Sequence, residues 1–330
     1  MDGELLAAAR AGDEAAFGRL VAPYRRELAA HCYRMLGSPH DAEDAVQEVL
    51  LSAWRGLAGF EGRSSVRTWL YRIATHACLR LASKRPRRLL SPDHGPPRRD
   101  VHDLGEVVPG PVWLEPWPDP AAGPEESYLL REGVELAFVA ALQHLPPFQR
   151  AVLVLREVLE YPAAEVAGLL GSTTAAVNSS LQRARRSVGE RVPERGEVEV
   201  PGQGEVLKAF IRAWERGDVD GLVELLTDDV RFIMPPLPAW FEGRETVGRF
   251  LAERVFASRW RVVPVSVNGG WGMAFYQEGE VAAVGVLRVR SGSSAAARVP
   301  AASVGEIVTW LDPRVLGSFP VPRKFSASER

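Results

Sequence analysis

The sequence is poor in the residues that carry most enzyme chemistry. It has two cysteines, Cys32 and Cys78, and six histidines, the last of them His144. The two thiols form no CxxC pair, so they read as reduced and buried, without a disulfide framework or a zinc site. From residue 145 onward a histidine base, a histidine or cysteine metal site and a cysteine nucleophile are all excluded. There is no run of 18 or more apolar residues, and the N-terminus has no signal-peptide pattern. The expectation is a cytoplasmic protein without membrane attachment.

What is present is segregated. The formal net charge is only −2, yet residues 2–48 hold nine acids against five bases, and residues 80–99 hold seven bases against one acid. Residues 183–195 hold five bases against two acids. Such blocks suggest one surface for an anion and another for a basic partner, although single charge runs are also what solvated faces carry. Proline is segregated too. Ten prolines lie between Pro86 and Pro124, which rules out a helix or a central strand there.

The 330 residues allow two or three domains with their own cores. Residues 1–88 read as helical, 89–130 as an extended Pro-rich linker, 131–192 as helical again and 193–204 as a second, polar linker. Residues 205–330 begin as helix and then change to strands. The strands are "VRFIMPP", "WRVVPVSV", "WGMAFYQ", "VAAVGVLRVRS" and "VGEIVTWLD".

Three stretches carry the functional signal. In "SPHDAEDAVQEVLLSAW" Ser38 is an N-cap, Pro39 fits the first helical position, and Asp41 falls near the third, approximating a capping box. Ala42, Val46, Val49, Leu50, Ala53 and Trp54 form the apolar stripe. Asp41, Glu43, Asp44, Gln47 and Glu48 are left on the exposed side. The helix macrodipole accounts for Asp41 and Glu43; a basic protein partner accounts for all of them.

In "FEGRSSVRTWLYRIATHACLRLASKRPRR" Arg72, His76, Arg80 and Lys84 stand one helical turn apart, with Trp69 beside them. A line of cations can track phosphates, and an aromatic can stack on a base. The loop Gly62, Arg63, Ser64 and Ser65 could receive an unstacked base. A core tryptophan with a solvated arginine face is the plain alternative.

In "LPPFQRAVLVLREVLEYPAAEVAGLLGSTTAAVNSSLQRARRSV" two helices flank the turn Gly171–Ser172. Val177, Leu181, Ala184 and Val188 face inward on the second. Ala175, Ser179, Gln182 and Arg186 point outward, flanked by Asn178 and Arg183, with Thr173 and Thr174 at the helix start. Small and amide side chains there suit base edges in a major groove, and the arginines suit phosphates.

These stretches, in this order, resemble the extracytoplasmic-function (ECF) branch of the sigma-70 transcription initiation factors. Residues 10–88 look like sigma region 2 and residues 131–190 like region 4. The resemblance implies two all-α domains and core RNA polymerase as partner. The helix over 41–54 would dock on the clamp helices of the polymerase largest subunit. Residues 60–88 would open the −10 element of promoter DNA, with a flipped base at Gly62–Ser65. The helix over 173–188 would read the −35 element. The Pro-rich linker would run through the main channel of the polymerase. Where the family is often more basic, this chain has Asn178 and Ser180.

Residues 205–325 resemble the SnoaL-like α+β cone, a curved sheet and helices around a cavity. The matching stretches are "VLKAFIRAWERGDVDGLVELLTDDVRFIMPP", "WFEGRETVGRFL" and "GEIVTWLDPRVLGSF". The segment "VWLEPWPDP" is like a linker motif of factors with such a fused domain, and reads equally as a rigid spacer. Trp240, Trp271, Phe275, Tyr276 and Trp310 could line a pocket or fill the core. Asp228, Asp229, Glu306, Asp312 and Tyr276 are the acid–base candidates left. The expectation is a regulatory domain in intramolecular contact with the sigma domains, no enzyme, and no metal or nucleotide cofactor. Two alternatives stay open: a small-molecule isomerase or hydrolase fused to a DNA-binding regulator, and an ordinary helix-turn-helix dimer.

Overall fold

A computed structural model describes residues 2–119, 135–191, 200, 202–291 and 302–324. Most of the expected second linker, 193–204, and the end of the first lie outside the described residues. The chain forms two compact units. One joins the helices up to Arg88 with those after Glu135; the other joins residues 89–119 with the chain from Gly202 onward. Among the described residues no helix is long and apolar enough to cross a membrane.

The first unit opens with five helices: α1 (Asp2–Arg10), α2 (Glu14–Val21), α3 (Arg25–Leu36), α4 (Pro39–Gly56) and α5 (Val66–Ala82). Polar side chains set their starts. Ser38 Oγ accepts the Asp41 backbone N–H at 3.2 Å, and Ser65 Oγ accepts that of Thr68 at 3.0 Å. Gly37, at φ 73°, ends α3 in the left-handed conformation that glycine adopts without strain. Leu28, Cys32, Tyr33 and Met35 of α3 are fully buried between α4 and α5. Ala42, Ala45, Val49 and Ala53 of α4 and Leu70, Ala74, Ala77 and Cys78 of α5 close over them. Each large apolar side chain so buried contributes about 1.5–3 kcal/mol. His31 sits in the same core, bonded to Thr75 Oγ1 at 3.0 Å. Burial, aided by the charge of Arg34, pushes its pKa down to about 3.

Four more helices complete this unit: α6 (Leu136–Gln143), α7 (Pro147–Leu153, running on through a π turn over Val154–Val158), α8 (Ala163–Leu170) and α9 (Thr174–Gly189). Gly171, at φ 60°, ends α8, and Thr173 Oγ1 caps α9 by accepting the Ala176 N–H at 3.2 Å. The two helical sets pack together. Gln143 Nε2 donates to Arg34 O at 3.2 Å, and Arg150 donates to Met35 O.

The second unit holds a six-stranded sheet in the order β2-β1-β6-β5-β4-β3. The strands are β1 (Leu226–Ile233), β2 (Trp240–Glu242), β3 (Trp260–Val267), β4 (Gly270–Gln277), β5 (Glu280–Ser291) and β6 (Ala302–Trp310). β1 and β6 run parallel; every other neighbouring pair is antiparallel. Helices α10 (Gln203–Arg216), α11 (Val219–Glu224) and α12 (Arg244–Phe250) follow the chain around it, and α13 (Pro313–Leu316) ends it. α10 buries Val206, Leu207, Phe210, Ala213 and Trp214, an i, i+3/i+4 stripe, into the core formed with the sheet. Trp214 packs against Phe275 at 4.8 Å, Phe256 at 5.2 Å and Phe210 at 5.4 Å.

Residues 89–119, read from their prolines as an extended linker, are built into the sheet domain. Val101 and Leu114 are fully buried, and Val101 belongs to the core of the sheet domain. Main-chain and indole groups bind this segment to the sheet. Arg98 N donates to Trp240 O at 2.8 Å, Val108 N to Pro236 O at 3.1 Å and Trp310 Nε1 to Leu114 O at 2.7 Å. Trp117 and Asn268 exchange two bonds, each 2.9 Å: Trp117 N to Asn268 Oδ1 and Asn268 N to Trp117 O. Prolines block helix formation but leave every carbonyl free to accept, so an extended segment can still be built into a fold.

The five aromatics that could have lined one pocket are spread apart in role. Phe275 is in the core, and Trp240 Nε1 donates to Gly95 O at 2.8 Å. Tyr276 Oη donates to Pro322 O at 2.8 Å. Trp310 holds Leu114, and Trp271 is 57% exposed.

Candidate nucleic-acid interface

The interface begins with α4, whose stripe of Ala42, Ala45, Val46, Val49, Leu50 and Ala53 fixes which way its acids face. Glu43, Asp44, Gln47 and Glu48 are exposed. Asp41 is not. It is 5% exposed, and its carboxylate accepts Arg88 Nε at 2.9 Å and Nη2 at 2.5 Å, with Arg85 on its other oxygen. The expectation of five exposed residues is therefore corrected to four. Position three of a helix points back over its own first turn, where the returning Arg85–Arg88 stretch covers it. Two arginines of the basic run are engaged with this acid and do not belong to the cationic line on α5.

Leu51 is the residue that sequence reasoning missed. It is 56% exposed and follows Gln47 and Glu48 by one turn, so the acidic face continues into an apolar spot. Its absence from the apolar stripe of α4 was the available signal.

α5 lies beside α4, its first turn anchored where Arg67 grips Glu27 of α3 through three bonds of 2.8–3.0 Å. Arg72, Arg80 and Lys84 are exposed. Arg80 Nη2 meets Glu48 Oε1 at 2.5 Å, which marks the seam between acidic and basic faces. His76 is half-buried, with Nε2 2.9 Å from Leu169 O at the end of α8. Trp69 is also half-buried, its ring 4.9 Å from that of Phe60. The expected aromatic beside the cations thus has one face already packed. Gly62, Arg63, Ser64 and Ser65 are exposed in the loop before α5. Gly62 adopts φ 74°, a left-handed conformation that favours glycine, and nothing lies within 4 Å of where a Cβ would stand.

On α9 Val177, Ser180, Leu181 and Ala184 are buried. Thr173, Thr174, Ala175, Asn178, Ser179, Gln182, Arg183 and Arg186 are all exposed along one side. The amide and hydroxyl groups occupy the N-terminal half and the arginines the C-terminal half, an order suited to base edges first and phosphates after. Arg183 Nη2 donates to Ser180 Oγ at 3.2 Å, which restrains its swing.

Comparison with known proteins places this geometry. Sigma-70 region 2 matches residues 20–88, sigma-70 region 4 matches residues 135–188, and a SnoaL-like domain matches residues 207–308. The ECF RNA polymerase sigma factor SigG of Mycobacterium tuberculosis is 41% identical over 326 residues, spanning 95% of this chain and 85% of that protein. The RNA polymerase sigma-H factor of Pseudomonas aeruginosa is 30% identical over 188 residues, spanning 57% of this chain and 91% of its own. The crystal structure of the extracytoplasmic function sigma factor SigJ of Mycobacterium tuberculosis covers 92% of this chain and 100% of its own with a TM-score of 0.61, at 22% identity a likeness of fold. An acidic helix, a cationic helix and a helix-turn-helix, ahead of a helix-and-sheet domain, are thus assembled in the order of a known class. The chain belongs to the ECF sigma factors of RNA polymerase, transcription initiation factors with sigma-70 regions 2 and 4, and carries a SnoaL-like domain after them.

Proposed function

We propose that Glu43, Asp44, Gln47 and Glu48, with Leu51 beside them, bind the clamp helices of the polymerase largest subunit. Arg72, Arg80 and Lys84 then follow the backbone of the −10 element, Gly62–Ser65 takes the unstacked base, and Trp69 supports it with the part of its ring left accessible. The exposed side of α9 reads the −35 element. The observation that carries this reading is the seam at Glu48–Arg80: opposite charges meet on adjacent helices of one rigid fold. A basic protein surface and a polyanion can then be held side by side without competing for the same residues.

His76, bound to Leu169 O, joins the −10 surface when regions 2 and 4 separate on the polymerase. The SnoaL-like domain acts on this step. Residues 89–119, which connect region 2 onward, are built into its fold, so their release or retention sets how far regions 2 and 4 can spread.

The domain is regulatory, and its carboxylates are structural. Asp229 pairs with Arg290 at 2.8 Å, Glu306 with Arg231 at 2.9 Å and Asp228 with Arg244 at 3.1 Å. Asp312 caps α13, and its bonds to Arg314 hold its carboxyl below the usual range. Burial raises the Tyr276 hydroxyl, which already donates to Pro322 O. Asp312 is thus held down and Tyr276 pushed up, both away from the neutral range in which a group moves protons readily.

Gel shifts with a promoter fragment, with and without core polymerase, test the reading. Tight binding only with core polymerase is expected; equal binding by the chain alone, as a dimer, would favour a plain helix-turn-helix regulator.

A further inference from the structure

Where region 2 ends and region 4 begins, the first unit encloses a cavity of about 280 Å³. Its charged wall is Arg85, Arg87, Arg88 and Arg150 against the single carboxylate of Asp41. Asp41 is occupied by Arg85 and Arg88. Arg87 and Arg150 meet no carboxylate among the described residues. Arg87 is exposed at the mouth, and Arg150, only 4% exposed, lies at the floor. Arg150 donates to Gln143 Oε1 at 2.7 Å, to Gln143 O at 3.1 Å, to Leu145 O at 3.2 Å and to Met35 O, all uncharged oxygens. Its Nε is buried without a partner. Burial, then the charge of Arg87, lower its pKa to about 10.

We propose that this cavity binds the terminal phosphate of a small phosphate monoester. The planar fork of Arg87 matches a tetrahedral phosphate, while Arg150, whose Nη donors are spent on uncharged oxygens, adds a buried charge and the one unpartnered donor Nε, and such a cation gains most from a dianion. The volume lies at the small end for ligand sites, so the phosphate and part of the group attached to it fill the space. A monoester has a free end that can reach Arg150 at the floor. A phosphodiester inside a duplex is flanked by sugar on both sides and stays at the mouth. The walls come from both sigma regions, Ala82–Arg88 on one side and Gln143–Arg150 on the other. An occupant therefore ties the regions together and opposes their separation. At 100 times its Kd it multiplies the ratio of packed to separated forms by about 100. The site depends on neither the −35 nor the −10 assignment.

The test uses the full chain at fixed ionic strength, titrated with inorganic phosphate by calorimetry and followed in thermal melts, with chloride as the control salt. Saturable binding at one site per chain and a raised Tm are expected. Arg150→Ala also strips four hydrogen bonds, so the deciding variant is Arg87→Ala, which loses none among the described residues. It should bind phosphate at least tenfold more weakly and melt like the parent when phosphate is absent. Arg216→Ala, an exposed change on α10, should bind like the parent. Phosphate effects no larger than those of chloride would overturn the proposal. So would undiminished binding by Arg87→Ala, or displacement of phosphate by short duplex DNA, which would place the anion on the DNA-binding surface instead.

Discussion

Replacing Asp41 by asparagine separates a structural acid from the acids one turn away that are proposed to bind polymerase. The amide would keep the shape and one acceptor oxygen but remove the charge that Arg85 and Arg88 share. Asp41 is 5% and Arg88 6% exposed, so the pair sits where water cannot substitute for the lost charge. Breaking such a pair costs about 3–5 kcal/mol, and the remaining acceptor places the expectation at the lower end, about 3 kcal/mol. For a fold of this size that lowers Tm by roughly 6–12 °C. Asp44→Asn, on the exposed side of the same helix, should change stability by less than about 0.5 kcal/mol. The assay is a pair of thermal melts on full-length variants, with polymerase binding measured well below both midpoints. Asp41→Asn should still bind polymerase there. A Tm shift for Asp41→Asn no larger than for Asp44→Asn would refute the buried-pair reasoning.

Further outcomes follow from the same geometry. His31 is depressed from 6.5 to about 3, so folding favours its neutral form. The stability this adds is complete above about pH 6.5 and is lost as pH falls toward 3, at up to about 1.4 kcal/mol per pH unit; His31→Gln should flatten the acid limb of a denaturation series. On α9, Gln182→Ala should relax discrimination at one −35 position by about 1–3 kcal/mol. Arg186→Ala should weaken all sequences alike and reduce the salt slope by about 1; competition binding of holoenzyme to mutated promoters at several salt concentrations distinguishes the two. Asn268→Ala removes the Oδ1 acceptor that holds Trp117 N, and run-off transcription by the variant should differ from the parent at equal protein; identical transcripts under all conditions would remove the regulatory role of that contact.

The sequence displayed these surfaces unevenly, for physical reasons. Helical periodicity in α4 and α9 was clear because each buries one apolar stripe, and every residue expected on the outer side of α9 is exposed there. Pattern alone could not show that Asp41 folds inward, because its partners Arg85 and Arg88 lie more than 40 residues away and beyond the end of α5. Trp69 and His76 sat on the cationic side of α5 by spacing, yet each meets a neighbour that helical spacing does not reveal: Phe60 before the helix and Leu169 on α8. Proline counts excluded helix from residues 89–119 but said nothing of docking, since the bonds that fasten this segment are made by backbone carbonyls and by Trp240, Asn268 and Trp310 far along the chain. The strand β2 escaped notice because three residues are too few to show alternation.

The most direct measurement is the affinity of core RNA polymerase for a full-length Glu43→Lys/Asp44→Lys variant, set beside Glu205→Lys on the outer face of α10 as an exposed control. If α4 grips the polymerase by charge, the double variant should bind at least a hundredfold more weakly at low salt while melting like the parent, and the control should bind normally. Equal affinity of the double variant and the parent would contradict the account.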